Sequence, residues 1–415
     1  MLKRLLAWSL LINAINFLRA KETFISLYAE DVRVFLPERI NLGIFGSLIE
    51  QHAGYLNLFP RIIFAFSAIV DLEYVPLIVA ILVNVATAFL VTVIYLNWKP
   101  VFKSTKLLLF GSSGIAIIPI LGISSLGNPT YFHFQLLASS LILLASPQYD
   151  LYVKSKTLIY VITALSDPLF FVLIVMVVMH LKKRVVSSKK LQFQIFAFTI
   201  ACAIQGITMI AVLKSSRSVS SDDFDIIETT YLYFDRAIGS TLVPFFGFID
   251  NSSKDNMQIL FLRLIVSIGS IGLLLYMATR KSRQSSSKYL YLSFSLASIY
   301  FVIGAFAIAP ETRYAIVPGI VLWFLIGYIF DGYEFKGKKQ VRIFQVWILA
   351  LIASSQFPSD VFLKSVDWRG QVKRASIVCE SNLQSSIEIF GRPAEVPIGD
   401  KRHSAIIKCA NIKGN

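Results

Sequence analysis

The chain has few charged residues and few of the residue types that hold metals. Only 16% of its 415 residues are charged, and it contains four histidines and three cysteines. It has no glycine-rich phosphate loop, no paired CxxC, no HExxH and no internal repeat. These absences argue against P-loop nucleotide hydrolases, zinc enzymes and repeat proteins, and the sequence predicts neither a metal site nor another cofactor.

What the sequence has instead is a series of long apolar runs. Hydrophobic residues make up 55% of the chain, and the mean hydropathy is +0.66. Runs such as 75–96 and 191–213 reach the ~20 residues that a helix needs to cross a ~30 Å hydrocarbon layer. The sequence therefore predicts an all-α polytopic membrane protein with about 9–11 transmembrane helices. Apolar segments lie near 5–18, 57–70, 74–96, 107–122, 130–146, 157–181, 191–213, 258–279, 289–308, 314–331 and 342–357.

Acidic residues are scarce in the short connectors, where the excess positive charge of +15 concentrates. The basic connectors are 98–106, 181–190, 280–288 and 332–342, and Glu334 is the one acidic residue among them. Such placement follows the positive-inside rule and argues against nucleic-acid binding. It predicts a cytoplasmic N-terminus and puts loops 19–56 and 214–257, together with the polar tail, on the outer face.

Two apolar segments are interrupted. Segment 157–181 contains Asp167 followed by Pro168, and proline removes a helix hydrogen bond and disfavours helix in the residue before it. We expect two half-helices there, which enter and leave on the same side. Segment 57–70 is short and begins near Pro60, which predicts a partial or interfacial helix.

Residues 358–415 form a short polar segment. Its composition predicts a small periplasmic C-terminal module after a membrane domain of residues 1–357. Cys379 and Cys409 can form a disulfide if this module lies in an oxidising compartment.

The candidate functional residues lie in the predicted outer segments. Glu30 and Asp31 directly follow the first span, and on their own they could be a solvated pair at a helix entrance. Polar residues at the same predicted depth favour a functional interpretation. They are Arg33, His52, Tyr55 and Arg61 in or just after the first loop, His133 and Gln135 at the outer end of a span, Asp235 and Arg236 in the large loop, and Arg313 and Tyr314 at the start of a late span.

A carboxylate and arginines at a membrane surface suit sugar transfer from a lipid-linked phosphate. The carboxylate would deprotonate an acceptor hydroxyl as that hydroxyl attacks the anomeric carbon. The arginines would neutralise the departing phosphate.

Several stretches resemble the polytopic GT-C glycosyltransferases that use polyprenyl-phosphate sugars. Residues 30–36 match "ED-x-x-VFL", and residues 53–61 match "AGYL-x-x-x-PR". Residues 126–146 resemble a helix that these enzymes open with a Gly-Asn pair. Residues 162–184 resemble their broken helix with a central proline, and residues 312–323 resemble their late Arg-Tyr-x-x-x-Pro span. Together these matches cover roughly the first 330 residues in order.

The resemblance implies roles for several of these residues. It places the catalytic base at Glu30 or Asp31, Tyr55 and Arg61 near the substrate, and Arg313 on the phosphate. At 415 residues the chain resembles the phage- or prophage-type glucosyltransferases that decorate O-antigen. It therefore implies a bacterial inner-membrane enzyme with its active site facing the periplasm. The donor would be an undecaprenyl-phosphate sugar, and the acceptor a glycan or lipid-linked glycan.

Two other functions remain open at this stage. A glycolipid transporter or flippase would be expected to show inverted repeats and polar residues near the bilayer midplane. A polysaccharide polymerase would also be polytopic, with outer arginines, but it would not need an acidic pair after the first span. These features favour the transferase.

Overall fold

The chain is described from a computed structural model. It describes residues 2–118, 127–148, 150–181, 188–213, 226–243, 263–272, 285–307, 312–331, 338–354, 366–381, 385–391 and 404–409, with the isolated residues 261 and 276. The predicted loop 214–257 is thus described only at 226–243, and that part is helical.

Sixteen helices are described over these ranges. They are α1 (Leu2–Arg19), α2 (Leu36–Ile49), α3 (Leu58–Phe66), α4 (Val75–Trp98), α5 (Thr105–Ile117), α6 (Phe132–Leu144), α7 (Val153–Ser166), α8 (Phe171–Leu181), α9 (Lys189–Leu213), α10 (Ile226–Leu232), α11 (Ser240–Leu242), α12 (Arg263–Gly272), α13 (Ser285–Ala307), α14 (Ile316–Asp331), α15 (Lys338–Ser354) and α16 (Trp368–Ser381). Short 3₁₀ turns span Lys21–Phe24, Ser67–Ile69, Leu72–Tyr74 and Thr312–Ala315, and π-helical turns span Asp31–Phe35 and Tyr233–Gly239.

Within the described ranges, four helices are long and apolar enough to cross a membrane. They are Leu72–Trp98, Lys189–Ile210, Lys288–Phe306 and Arg313–Asp331. Shorter apolar helices, including α3, α5 and α6, accompany them. The apolar window of Arg313–Asp331 is 89% buried and that of Lys189–Ile210 is 28% buried. The first therefore lies at the centre of the helix packing and the second at its edge, as expected of a helical membrane protein.

Small residues let the central helices approach closely. A Cβ added at Gly327 of α14 would lie 3.0 Å from the Leu107 carbonyl oxygen and 3.2 Å from Gly111 Cα of α5. One turn away, the Trp323 indole donates a 2.7 Å hydrogen bond to the Phe110 carbonyl oxygen. Small residues at such crossings replace the hydrophobic driving force that lipid does not supply.

Amide side chains tie α1 to α4. Asn16 Nδ2 donates to Asn84 Oδ1 at 2.7 Å, and Asn84 Nδ2 donates to Asn13 Oδ1 at 3.0 Å. Buried amides between apolar helices need such partners because lipid offers none.

The predicted breaks are confirmed. α7 ends at Ser166, α8 begins at Phe171, and the Asp167 carboxylate between them accepts the backbone N–H of Leu169 at 2.8 Å. The short helix α3 packs beside this break, where the Phe59 N–H donates to Ser166 Oγ at 2.9 Å. That the two half-helices return to one side stays a prediction.

The C-terminal residues add a small sheet to the predicted all-α fold. Strands β1 (Ser386–Phe390) and β2 (Ser404–Lys408) pair antiparallel, with Ile387 opposite Ile407. The sequence left open whether Cys379 and Cys409 are bonded; in the structure a disulfide between them joins α16 to the end of β2.

This C-terminal segment is packed onto the helical part of the chain. The Trp368 indole donates to the Leu72 carbonyl oxygen at 2.9 Å. A Cβ added at Gly391 would lie 2.6 Å from Val32 Cγ2 and 3.0 Å from the Leu27 carbonyl oxygen. The end of β1 therefore buttresses the segment that carries the acidic pair.

Candidate active site

The two acidic residues after α1 have different surroundings. Asp31 begins a π-helical turn, is 2% exposed, and accepts a 2.6 Å hydrogen bond from Thr130 Oγ1. Glu30 is half-buried, and its Oε2 atom is buried without a hydrogen-bond partner among the described residues. Neighbouring side chains on a helical backbone point about 100° apart, so only Asp31 reaches Thr130. Glu30 is left available for another partner.

The turn before α6 holds Thr130 in place. Gly127 has a φ of 64°, and a Cβ added there would lie 3.0 Å from Thr23 Oγ1. Asn128 Oδ1 accepts the Thr130 N–H at 2.9 Å, which forms an Asx turn. The Gly-Asn pair therefore shapes the turn that presents Thr130 and Tyr131.

A two-residue turn presents Tyr55. The His52 N–H donates to the Tyr55 carbonyl oxygen at 2.9 Å, and the Tyr55 N–H donates back to His52 at 3.1 Å. Between them Ala53 has φ 54° and Gly54 has φ 88°. Positive φ at both central residues is the geometry of tight hairpins, and glycine adopts it more readily than alanine does.

Arg61 and His52 support this turn from behind. The Arg61 guanidinium donates to the Leu56 carbonyl oxygen, lies 2.8 Å from Glu38 Oε2, and stacks over the Phe35 ring at 5.1 Å. The His52 ring packs edge-on against Phe35 at 5.8 Å. Arg61 is 1% exposed. Both residues were predicted to bind substrate, and the structure places them as packed supports of the Tyr55 turn.

Glu38 is only partly stabilised by its arginine. Burial raises the pKa of the Glu38 carboxyl to about 7. The positive charge of Arg61 lowers this pKa, and the negative charge of Glu50 raises it. The ion pair with Arg61 therefore becomes complete only above neutral pH.

Arg313 comes from the far end of the sequence and lies among tyrosines. Its Nη1 donates to the Tyr131 hydroxyl at 3.3 Å. Its guanidinium lies 5.6 Å from the Tyr131 ring centre and 5.7 Å from that of Tyr314. The Tyr131 hydroxyl is also hydrogen-bonded to Tyr28. The two rings therefore hold the guanidinium by cation–π contacts.

Electrostatic effects show that these groups share one region. Burial raises the pKa of the Tyr55 hydroxyl, electrostatic interactions with Asp167, Tyr314 and Glu30 raise it further, and Arg313 lowers it. Burial likewise raises the pKa of Tyr131, with additions from Tyr28 and Glu30, and Arg313 again acts in the opposite direction. Both phenols therefore stay protonated at neutral pH, and each can donate a hydrogen bond.

A buried carboxylate borders this region. Asp167 is fully buried and accepts the Tyr300 hydroxyl at 3.1 Å, and the Tyr300 ring lies 6.3 Å from the Tyr314 ring. Of the predicted site residues, Glu30, Tyr55, Arg313 and Tyr314 are thus brought together. Tyr28, Thr130, Tyr131 and Asp167 join them although they were not in the predicted set.

The remaining predicted residues have other surroundings. His133 Nδ1 lies 2.8 Å from the Thr130 carbonyl oxygen, and Gln135 Nε2 donates to the Ile115 carbonyl oxygen at 3.0 Å. Both are buried in α6, and Arg33 is exposed. Arg236 lies 3.1 Å from Asp235, which also pairs with Arg263 at 2.7 Å.

This second charged group is adjacent to the first. The π-helical turn that carries Asp235 packs against Thr312–Ala315, the turn that carries Arg313. No group of three or more His, Cys, Asp or Glu side chains suitable for a metal occurs among the residues that the structure describes.

The candidate site is therefore a carboxylate with one oxygen unpartnered among the described residues, two protonated phenols and an arginine, drawn from distant parts of the chain. No protein-family profile matches this chain, and no curated protein is significantly similar to it.

Proposed function

We propose that this protein is an inverting glycosyltransferase that moves a sugar, glucose in the first instance, from an undecaprenyl-phosphate donor to a periplasmic glycan such as O-antigen. One observation carries the proposal: the Glu30 carboxylate oxygen, without a hydrogen-bond partner in the described structure, is within electrostatic range of Tyr55 and Tyr131, which Arg313 also affects. The GT-C-like sequence matches support it independently.

The proposed reaction is a single displacement. The acceptor hydroxyl oxygen attacks the anomeric carbon, and Glu30 takes the hydroxyl proton. The bond between that carbon and the phosphate oxygen breaks, and its electron pair leaves with the polyprenyl phosphate. Attack from the face opposite the leaving group inverts the configuration.

Arg313 is suited to the leaving group. Its positive charge lies beside the protonated Tyr131, so both can face the charge that develops on the phosphate. Donors fixed before the reaction are effective because they need no reorganisation when charge appears.

Asp31 has a different proposed role. Its hydrogen bond from Thr130 joins the first outer segment to the start of α6 and uses one carboxylate oxygen. We assign Asp31 to holding the turn that carries Glu30, and Glu30 to the proton transfer.

Exposed apolar side chains near this region suit a membrane-bound donor. α2 exposes Leu42, Phe45 and Ile49, and the segment from α3 onward exposes Phe66 and Ile69. Apolar faces of this kind lie in a lipid interface. They support a site reached from the bilayer, and the basic connectors support placing it on the periplasmic side of a bacterial inner membrane.

The test is transfer in isolated membranes supplied with undecaprenyl-phosphate glucose and an acceptor glycan. Glu30→Gln should slow transfer by about 10²–10⁴-fold, the usual contribution of a general base. Asp31→Asn should slow it less and should also lower the melting temperature. Glu50→Gln, which changes a carboxylate at the end of α2, is the matched control and should leave transfer intact.

Two outcomes contradict different parts of the proposal. Full activity in Glu30→Gln would remove Glu30 as the base but leave the transferase in place. Failure of the wild-type protein to use any polyprenyl-phosphate sugar would remove the transferase itself.

A further inference from the structure

Helix α13 borders the candidate site but contributes none of the side chains assigned to the proposed reaction. It packs against the turn Thr312–Ala315, which carries Arg313, and against α14, which follows that turn. Two of its residues, Tyr300 and Gly304, are four positions apart and therefore lie on one face of the helix. Both are in contact with the ring of Tyr314.

Gly304 provides the space that the Tyr314 ring occupies. A Cβ added at this glycine would lie 2.6 Å from Tyr314 Cδ1, 2.8 Å from Cε1 and 2.9 Å from Cγ. Carbon atoms in contact are about 3.5–4.0 Å apart, so a methyl group there would overlap one edge of the ring. Tyr314 is 5% exposed, and its ring could move only by displacing its neighbours. Glycine at position 304 is therefore required for the observed position of Tyr314.

Two aromatic rings hold Tyr314 against this glycine. The ring centre of Tyr300 lies 6.3 Å from that of Tyr314 at an interplanar angle of 59°, and Phe134 of α6 lies 5.9 Å away at 88°. Phe134 and Tyr300 also meet edge to face, with their ring centres 6.3 Å apart. Tilted and edge-to-face contacts constrain the orientation of a ring as well as its position. Gly304, Tyr300 and Phe134 together form the Tyr314 packing site.

Tyr300 is itself fixed at its hydroxyl. It donates a 3.1 Å hydrogen bond to Asp167 Oδ2, while Asp167 Oδ1 accepts the Leu169 N–H at 2.8 Å. Tyr300 is 1% exposed and Asp167 is fully buried. A buried hydrogen bond to a carboxylate is costly to break, because both groups have lost their water. The Tyr314 packing site is therefore anchored to the break between α7 and α8.

The Tyr314 ring in turn bounds the position of the Arg313 guanidinium. That guanidinium lies 5.7 Å from the Tyr314 ring centre and 5.6 Å from that of Tyr131, whose hydroxyl accepts from Nη1 at 3.3 Å. Tyr131 stacks on Phe134 at 6.2 Å, so both rings beside Arg313 rest on the same phenylalanine. A displaced Tyr314 would therefore displace the positive charge. Electrostatic stabilisation of a leaving group depends on the placement of such charges before the reaction.

We propose that Gly304 and Tyr300 are positioning residues of the transfer reaction, which pack Tyr314 in place and thereby place Arg313 for the leaving phosphate. The inference rests on the proposed function, because that function assigns Arg313 to the phosphate. It adds a requirement in α13, a helix that none of the sequence matches to GT-C enzymes covers.

The test is a double-mutant cycle between Gly304 and Arg313, measured as kcat and KM for the polyprenyl-phosphate sugar in isolated membranes. Gly304→Ala should lower kcat about tenfold, because small misplacements of a catalytic group are costly. KM should change little, since the misplaced charge acts on the transition state. In an Arg313→Ala background the same change should lower kcat less than about twofold, because the charge is already absent.

Gly269→Ala in α12 is the matched control. No atom lies within 4 Å of a Cβ added there, so this variant should retain full kcat in both backgrounds. Equal losses from Gly304→Ala in the two backgrounds would show an effect on the fold alone and would overturn the proposal. An unchanged kcat in Gly304→Ala would overturn it too.

Tyr300→Phe provides the same cycle if Gly304→Ala does not accumulate in the membrane. It keeps the ring and removes the hydroxyl that Asp167 accepts. This variant should lower kcat less than Gly304→Ala does, and only while Arg313 is present. A wild type without transfer activity would remove the proposed function and this inference with it. An active wild type with additive losses would overturn the inference alone.

Discussion

The helices in the middle of the molecule are regular and meet through small residues, whereas the end that carries Glu30 changes backbone type every few residues. In the middle, α5 and α14 approach closely enough that a methyl group at Gly327 would lie 3.0 Å from a backbone oxygen of α5. At the Glu30 end, π-helical turns, 3₁₀ turns and a left-handed Ala53 follow one another. Side-chain packing determines the structure of the middle region, and individual polar contacts determine that of the Glu30 end. Substitutions in the middle should therefore lower the free energy of unfolding, and substitutions at the Glu30 end should lower the rate of the proposed sugar transfer.

The largest effect expected from this comparison is at Arg313. Arg313→Ala should slow sugar transfer about 100-fold or more, because it removes a fixed positive charge from the leaving phosphate. The melting temperature should change little, since the guanidinium rests on aromatic faces at the edge of the packing. Initial rates and thermal unfolding of the same preparation provide the measurement.

The matched control for Arg313 is the exposed Arg33. Arg33→Ala should leave both the rate and the melting temperature unchanged. If the two variants behave alike, Arg313 has no special role in transfer.

Gly327→Ala tests the packed region. The added Cβ would meet backbone atoms of Leu107 and Gly111, which cannot move aside as a side chain can. We expect a loss of about 2 kcal/mol in the free energy of unfolding, typical of overpacking. Gly206→Ala in α9, where no atom lies within 4 Å, should be neutral or slightly stabilising. Equal melting temperatures for the two variants would refute the close packing.

Thr130 lies where the two regions join, so its substitution should affect both properties. Thr130→Val removes the hydrogen bond to the Asp31 carboxylate, and we expect a loss of about 1.5 kcal/mol in stability. Transfer should slow as well, because the turn that carries Glu30 loses its anchor. Thr130→Ser retains the hydroxyl and should restore both. A slow but fully stable valine variant would contradict this account.

The smallest effect concerns pH and Glu38. Its pKa in the folded protein is raised from the ordinary value of 4.5 to about 7, so the folded state binds more protons than the unfolded state between these values. Its contribution to stability is therefore full below about pH 4.5 and is lost as the pH rises through about 7. Glu38→Gln should show a shallower decline than the wild type in unfolding experiments across this window. Parallel curves would indicate that Glu38 does not titrate there.

The regular region was largely predictable, and the site only in part. Hydropathy located most helices, and Pro168 located the break between α7 and α8. Hydropathy could not reveal that Tyr131 would meet Arg313, because aromatic residues are common in membrane helices and their partners come from distant segments. Tyr131 stands in the same short stretch as His133, and proximity to that polar residue was the one available signal.

Residue type alone could not show how two predicted residues pack. Arg61 and His52 lie behind the Tyr55 turn, and their binding of substrate stays a prediction. Asp167 was recognised as part of a helix break, but its contact with Tyr300 depends on how α7 and α13 pack. The sheet at the C-terminus was not predicted, because strands of five residues carry little signal.

The contact between Gly391 and Val32 has a consequence for how the molecule is made. The segment that carries Glu30 and Asp31 leaves the ribosome early, whereas Gly391 is synthesised several hundred residues later. The early segment cannot gain its full set of contacts until the late one has packed against it. Completion of the candidate site therefore waits for the C-terminal residues, and a chain interrupted before Gly391 would hold its acidic pair without this support.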